Sequence, residues 1–144
     1  MTTTAFVKDD GGRADAGFKG SAGDCVVRSI AIATGTPYQE VYDALFELNK
    51  KQLGKLRGAS PRDGGTKTRT IRKYLASLGW QFIPTMQIGQ GCRVHLRADE
   101  LPAGRIIARC SGHLVAVVDG VIHDTYDPSR GGTRCVYGYY QKMA

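Results

Sequence analysis

A thiol, an imidazole and a carboxylate can together break an amide bond, and this chain offers candidates for all three. Its cysteines are Cys25, Cys92, Cys110 and Cys135; its histidines are His95, His113 and His123. Cys25 follows the small-residue stretch Ser21-Ala22-Gly23-Asp24 and opens a run with helical spacing, Val26, Val27, Ile30, Ala31 and Thr34. A thiol in the first turn of a helix faces unpaired backbone N–H groups and the positive end of the helix dipole. Both favour the nucleophilic thiolate. Asp24 opposes this as a second negative charge, unless it serves as the N-cap and is committed to the helix amides. The competing reading of Cys25 is a small buried hydrophobe, the usual fate of a free cysteine.

A thiol nucleophile needs a base, and the base needs an acceptor on its other nitrogen. The stretch Gly112-His113-Leu114-Val115-Ala116-Val117-Val118-Asp119-Gly120-Val121-Ile122-His123-Asp124-Thr125-Tyr126-Asp127-Pro128 supplies both. A histidine enters a buried hairpin, and two carboxylates leave it. A two-residue Asp119-Gly120 turn pairs Val118 with Val121 and His113 with Tyr126. Asp124 then shares the face of His113, one diagonal step away. A three-residue loop or a bulge reverses that parity and presents Asp127 instead. His123 falls on the opposite face under the short-turn register and is expected to be structural.

Cys92-Arg93-Val94-His95 and Cys110-Ser111-Gly112-His113 are two Cys-x2-His pairs, together the ligand number of a tetrahedral zinc site. Both lie in strand-like sequence, where residues i and i+3 point to opposite faces. No metal is therefore expected. No disulfide is expected either, because no secretion signal is visible.

The elements that must position these groups can be read from periodicity. Residues 1–20 show none and are expected to be loosely ordered; Asp9-Asp10-Gly11-Gly12 is turn chemistry. A helix from Asp24 stops at Gly35. A second begins at once, because Thr36-Pro37-Tyr38-Gln39 has the pattern of a capping box with proline at the first helical position. A third begins near Thr66 or Thr68 and ends at Gly79. Strands are predicted over 80–83, 93–96, 105–109, 114–118, 121–125 and 135–140. Helices first and an antiparallel sheet second make an α+β fold, and 144 residues make one domain, 1–144.

Composition excludes several classes. Hydrophobic residues at 42% and charged residues at 23% argue against general disorder. The longest apolar runs, such as Leu114 to Val118, are far short of the ~20 residues that span a bilayer. No membrane association is expected, and the expected location is cytoplasmic. The net charge of +7 is concentrated in one place. Residues 50–73 hold nine bases (Lys50, Lys51, Lys55, Arg57, Arg62, Lys67, Arg69, Arg72, Lys73) against the single acid Asp63. Such a segment is either a solvated loop and helix face or a site for an anionic partner, an acidic protein surface first and nucleic acid second. Only Tyr74 offers a nearby ring, against the aromatic interleaving of single-strand binders.

A cysteine opening the first long helix, followed by His and Asp on a later antiparallel hairpin, resembles the papain-like cysteine peptidase superfamily. The Asp24-Cys25 start and the His113 to Asp127-Pro128 ending are similar to bacteriocin-processing cysteine peptidases. Gly23-Asp24-Cys25-Val26-Val27-Arg28 and Gly112-His113-Leu114-Val115-Ala116-Val117-Val118-Asp119-Gly120 are also similar to small papain-like proteins encoded by bacteriophages. The resemblance covers about 24–42 and 112–140. It implies a papain-like fold and a peptide or side-chain amide substrate cleaved through an acyl-enzyme, without a cofactor. For a phage protein it implies the bacterial host's cytoplasm. It further implies Cys25 as nucleophile, His113 as general base and then acid, and a third member that the Asp-Pro ending assigns to Asp127, with Asp124 a close second. One departure is plain. The superfamily usually has an oxyanion-binding glutamine five or six residues before the cysteine, where this chain has Gly20 and Lys19. The backbone N–H of Cys25 remains a donor, with Lys19 or Ser21 as candidates for the second. A weak enzyme, or a binding module whose basic 50–73 segment holds nucleic acid or an acidic host protein, is the alternative.

Overall fold

The computed structural model describes residues 5–18, 24–53, 61, 68–87 and 89–143. Three helices, α1 (Cys25–Thr34), α2 (Tyr38–Leu53) and α3 (Thr68–Ser77), accompany eight strands. These are β1 (Phe6–Lys8), β2 (Trp80–Pro84), β3 (Val94–His95), β4 (Arg105–Cys110), β5 (His113–Val118), β6 (Val121–Asp124), β7 (Cys135–Val136) and β8 (Gly138–Lys142). Six of them form one sheet in the order β1-β6-β5-β4-β8-β2, and β3 pairs with β7 separately. The architecture is α+β.

β5 lies inside the sheet and is apolar on both faces, which is why its sequence reads as a continuous hydrophobic run rather than an alternation. Leu114 and Ala116, with Ile107 of β4 and Tyr140 of β8, pack against Val27, Ile30, Val41, Leu45, Ile71 and Leu75 of the helices. Val115 and Val117, with Ile106, Ala108 and Ile122, pack on the other side against Leu96 and Val136. The helices therefore cover one face, and the β3–β7 pair with its flanking loop covers the other.

Two turns set the register that matters for the site. Asp119 (φ 49°) and Gly120 (φ 80°) both adopt left-handed backbone, the requirement of a tight two-residue hairpin turn. Val118 faces Val121 and Ala116 faces His123, as the short-turn reading predicts. The Ser111-Gly112 turn sets Cys110 opposite His113. Gly35, with φ 73°, ends α1 by donating its N–H to the Ala31 carbonyl.

The structure differs from the sequence reading in several places, one being that the predicted strand 135–140 is two strands, β7 and β8, in separate sheets. The sheet is mixed, not wholly antiparallel, because β1 runs parallel to β6 along its edge. The segment read as loosely ordered carries that strand and then a set of turns. In these turns Asp9 accepts from the Gly11 N–H at 2.8 Å and Asp10 from the Gly12 N–H at 2.9 Å. Three strand residues are too few to show a period, so pattern alone could not reveal them. Gln39 donates to Asp43 at 2.8 Å rather than back across the expected capping box. A disulfide joins Cys92 to Cys135, whose Cα atoms are 5.8 Å apart. The β3–β7 pairing brings the two together across 43 residues of chain, a proximity that spacing could not disclose.

Candidate active site

Cys25 is the first residue of α1, half-buried against the helix-side core. His113 is the first residue of β5, and Asp124 is the last of β6. α1 packs on β5, which brings the start of the helix to the start of the strand. Extending the β5–β6 register by one pair sets Asp124 across from Val115, one diagonal step from His113. Residues from the first helix and from a hairpin far along the chain thus meet at one corner of the fold.

His113 Nε2 and Asp124 Oδ2 are 2.6 Å apart, both side chains buried. That leaves Nδ1 for the thiol, and His113 lies near enough to Cys25 to favour its thiolate. The Leu114 backbone N–H favours the thiolate in the same way. Burial pushes the Cys25 thiol up, but the polar influence of His113 and the Leu114 N–H, with the charges of His113 and Arg28, outweighs it, leaving the thiol more acidic than usual. Burial alone would lower His113; Asp124 and Cys25, as acceptors facing its ring nitrogens and as negative charges, instead raise it to about 9. Burial opposes ionisation of Asp124, but His113, the Thr125 N–H and Arg28 hold its carboxyl below the usual range. The three shifts point the same way: each favours the charged form, thiolate, imidazolium and carboxylate. The Tyr126 ring, 51% exposed, lies 5.5 Å from the His113 ring. It screens one side of the imidazole from water.

The other sequence candidates go elsewhere. Asp127 is exposed on the loop after β6, and its Oδ1 accepts from the Ser129 N–H at 2.9 Å, an ordinary turn contact. The geometry therefore sets Asp124, not Asp127, on His113, because the two-residue turn holds its parity with no bulge. His123 faces Asp9 at 3.2 Å and His95 faces Glu100 at 3.1 Å. Cys110 is buried, and burial drives its thiol up to about 11, although Arg134 and Arg130 pull the other way. Cys92 is consumed by the disulfide, so the two Cys-x2-His pairs cannot act as one four-ligand set. Among the described residues no three His, Cys, Asp or Glu side chains form a metal-holding group. Lys19, Gly20 and Ser21 lie outside the described residues, as do Lys55, Arg57, Arg62 and Lys67 of the basic segment.

No protein-family model, curated protein or solved structure matches this chain.

Asp24 occupies the N-cap position of α1 but makes no side-chain cap. Fully buried, it meets Arg28 on one oxygen, and Tyr38 at 2.6 Å and Arg13 at 3.2 Å on the other. Its charge is neutralised locally, which removes the opposition to a Cys25 thiolate that sequence adjacency suggests. Burial and the Asp24 carboxylate together make Tyr38 harder to ionise, so it remains a hydrogen-bond donor. Sequence reasoning missed these partners. Arg13 lies in a segment without periodicity, and Tyr38 enters the sequence reading only as part of a helix start. The i,i+4 spacing of Asp24 and Arg28 was the one available signal.

Proposed function

We propose that this protein is a papain-like cysteine hydrolase acting on a peptide or side-chain amide. The observation that carries the reading is the buried His113–Asp124 pair, 2.6 Å apart, beside Cys25 at the start of α1. Cys25 Sγ attacks the amide carbon, forming a C–S bond and an oxyanion. The Cys25 backbone N–H, in the first turn of α1, donates to that oxyanion. His113 gives its proton to the leaving nitrogen as the C–N bond breaks, which leaves a thioester on Cys25. It then takes a proton from the attacking water, and the thioester C–S bond breaks to return the thiolate. Asp124 holds the imidazole in the orientation both transfers need. No cofactor takes part in these steps.

The substrate class follows from charge. Lys51, Arg69, Arg72 and Lys73 are exposed on α2 and α3, and a protein or peptide with acidic groups is the partner this surface suits. The test is incubation with a limiting peptidyl electrophile, followed by peptide mapping. The expected product is a single adduct on Cys25, lost in Cys25→Ser and slowed in His113→Ala. Equal modification of Cys110, or indifference to His113→Ala, would reject the assignment.

A further inference from the structure

Arg28 follows Cys25 by three residues on α1 and is buried, with 7% of its surface exposed. One terminal nitrogen of its guanidinium, Nη1, donates to Asp24, and the other, Nη2, donates to Asp124 Oδ1 at 3.1 Å. The two oxygens of Asp124 therefore have separate duties. Oδ1 faces Arg28 and the Thr125 N–H, the latter at 2.7 Å, while Oδ2 faces His113.

Behind Arg28 the arrangement continues. Asp24 is held by Arg13 as well, and Arg13 also donates to the Tyr38 hydroxyl at 3.1 Å. The turn at Gly11 abuts the Arg28 backbone so closely that a Cβ there would sit 3.0 Å from both its Cα and its carbonyl oxygen. Two cations and two anions alternate through the buried region, ending on the carboxylate that meets the imidazole.

Stability alone does not account for an arginine at this place. Desolvating ions is costly, and a buried ion network is often no more stable than an apolar replacement of equal volume. What ions add is direction. A guanidinium donates from two nitrogens at fixed angles, so it can fix two carboxylates relative to each other.

We propose that Arg28 is a positioning residue for the thiol–imidazole pair: by holding Oδ1 of Asp124 it turns Oδ2 onto His113 and keeps the ring against Cys25. The proposal rests on the hydrolase reading of the site and adds the residue that aligns it. Lysine at 28 keeps the charge but has only one nitrogen, so it cannot reproduce both contacts at the same angles. Glutamine removes the charge as well.

The experiment is the pH dependence of Cys25 labelling by iodoacetamide in the unmodified chain, R28K, R28Q and His113→Ala. The acidic limb should move upward by about one pH unit in R28Q, which makes labelling about tenfold slower on that limb. R28K should fall between R28Q and the unmodified chain. A purely structural arginine would lower the melting temperature without moving the limb. If R28Q does not fold, R28K decides: a displaced limb supports the role, and an unchanged one overturns it. An unchanged limb in a folded R28Q overturns it equally. If the unmodified chain labels Cys25 no faster than Cys110, and His113→Ala changes nothing, the hydrolase reading falls and takes this role with it. A normal, His113-dependent Cys25 with indifferent Arg28 variants would reject the role of Arg28 alone.

Discussion

Asp124 and Asp127 separate two ways of finding the third member of the site. Resemblance to an Asp-Pro ending favours Asp127; strand register favours Asp124, whose Oδ2 sits 2.6 Å from His113 Nε2. Register carries this because it is a count of residues across a turn whose two left-handed positions, Asp119 and Gly120, have the turn chemistry they require. Asp124→Ala should lower amide hydrolysis by orders of magnitude. Asp127→Ala, which costs only the contact to the Ser129 N–H, should leave it within a few-fold. Steady-state turnover of both variants, with circular dichroism to verify folding, checks this. pH acts at the same residues. Hydrolysis needs the Cys25 thiolate and a proton on His113 to give to the leaving nitrogen. It should therefore fall in acid as the thiol gains its proton, and fall again above about 9 as His113 loses its own. A bell-shaped rate profile with its alkaline limb near pH 9 is the expected result.

At the scale of elements, the helix–turn–helix start and the β5–β6 hairpin were legible because each repeats a period over enough residues to be read. α1 begins at Cys25, where the pattern predicts, and α2 at Tyr38, one residue after the predicted Pro37. β5 and the turn after it agree to within a residue. What could not be read depends on contacts between distant elements. β1 is three residues long and gains its place only by pairing with β6. Arg13 belongs to the site's support because Asp24 is buried beneath it, not because of any local pattern. The candidate dyad of Cys25 and His113 was legible, whereas the ion network behind it was not. Two predictions belong here. Arg13→Ala leaves Asp24 with Arg28 and Tyr38 but removes one buried cation, so it should cost about 1–3 kcal/mol in urea denaturation. Removing the Cys92–Cys135 bridge by a Cys92→Ser, Cys135→Ser double substitution should cost about 2–4 kcal/mol. It should leave Cys25 labelling unchanged, because the bridge braces the β3–β7 pair on the far face of the sheet.

For the molecule as a whole, charge and chemistry occupy different places. The thiol, imidazole and carboxylate sit at one corner where α1 meets the sheet, while exposed cations line α2 and α3. Replacing Lys50, Lys51, Arg69 and Lys73 with Ser should slow capture of an acidic protein by about tenfold at low salt and hardly at all at high salt. Reaction of Cys25 with a small neutral electrophile should be untouched. That comparison tests the surface; the site itself is tested by the rate of iodoacetamide labelling at Cys25 against pH, in the unmodified chain and in His113→Ala. With the Cys92–Cys135 bridge intact only Cys25 and Cys110 compete, and burial drives the Cys110 thiol up to about 11. A thiolate held by His113 predicts Cys25 labelling close to its maximum by neutral pH and a marked slowing in His113→Ala. Labelling that instead climbs about tenfold per pH unit toward 9, identically in both proteins, would be the behaviour of an ordinary thiol and would contradict the account.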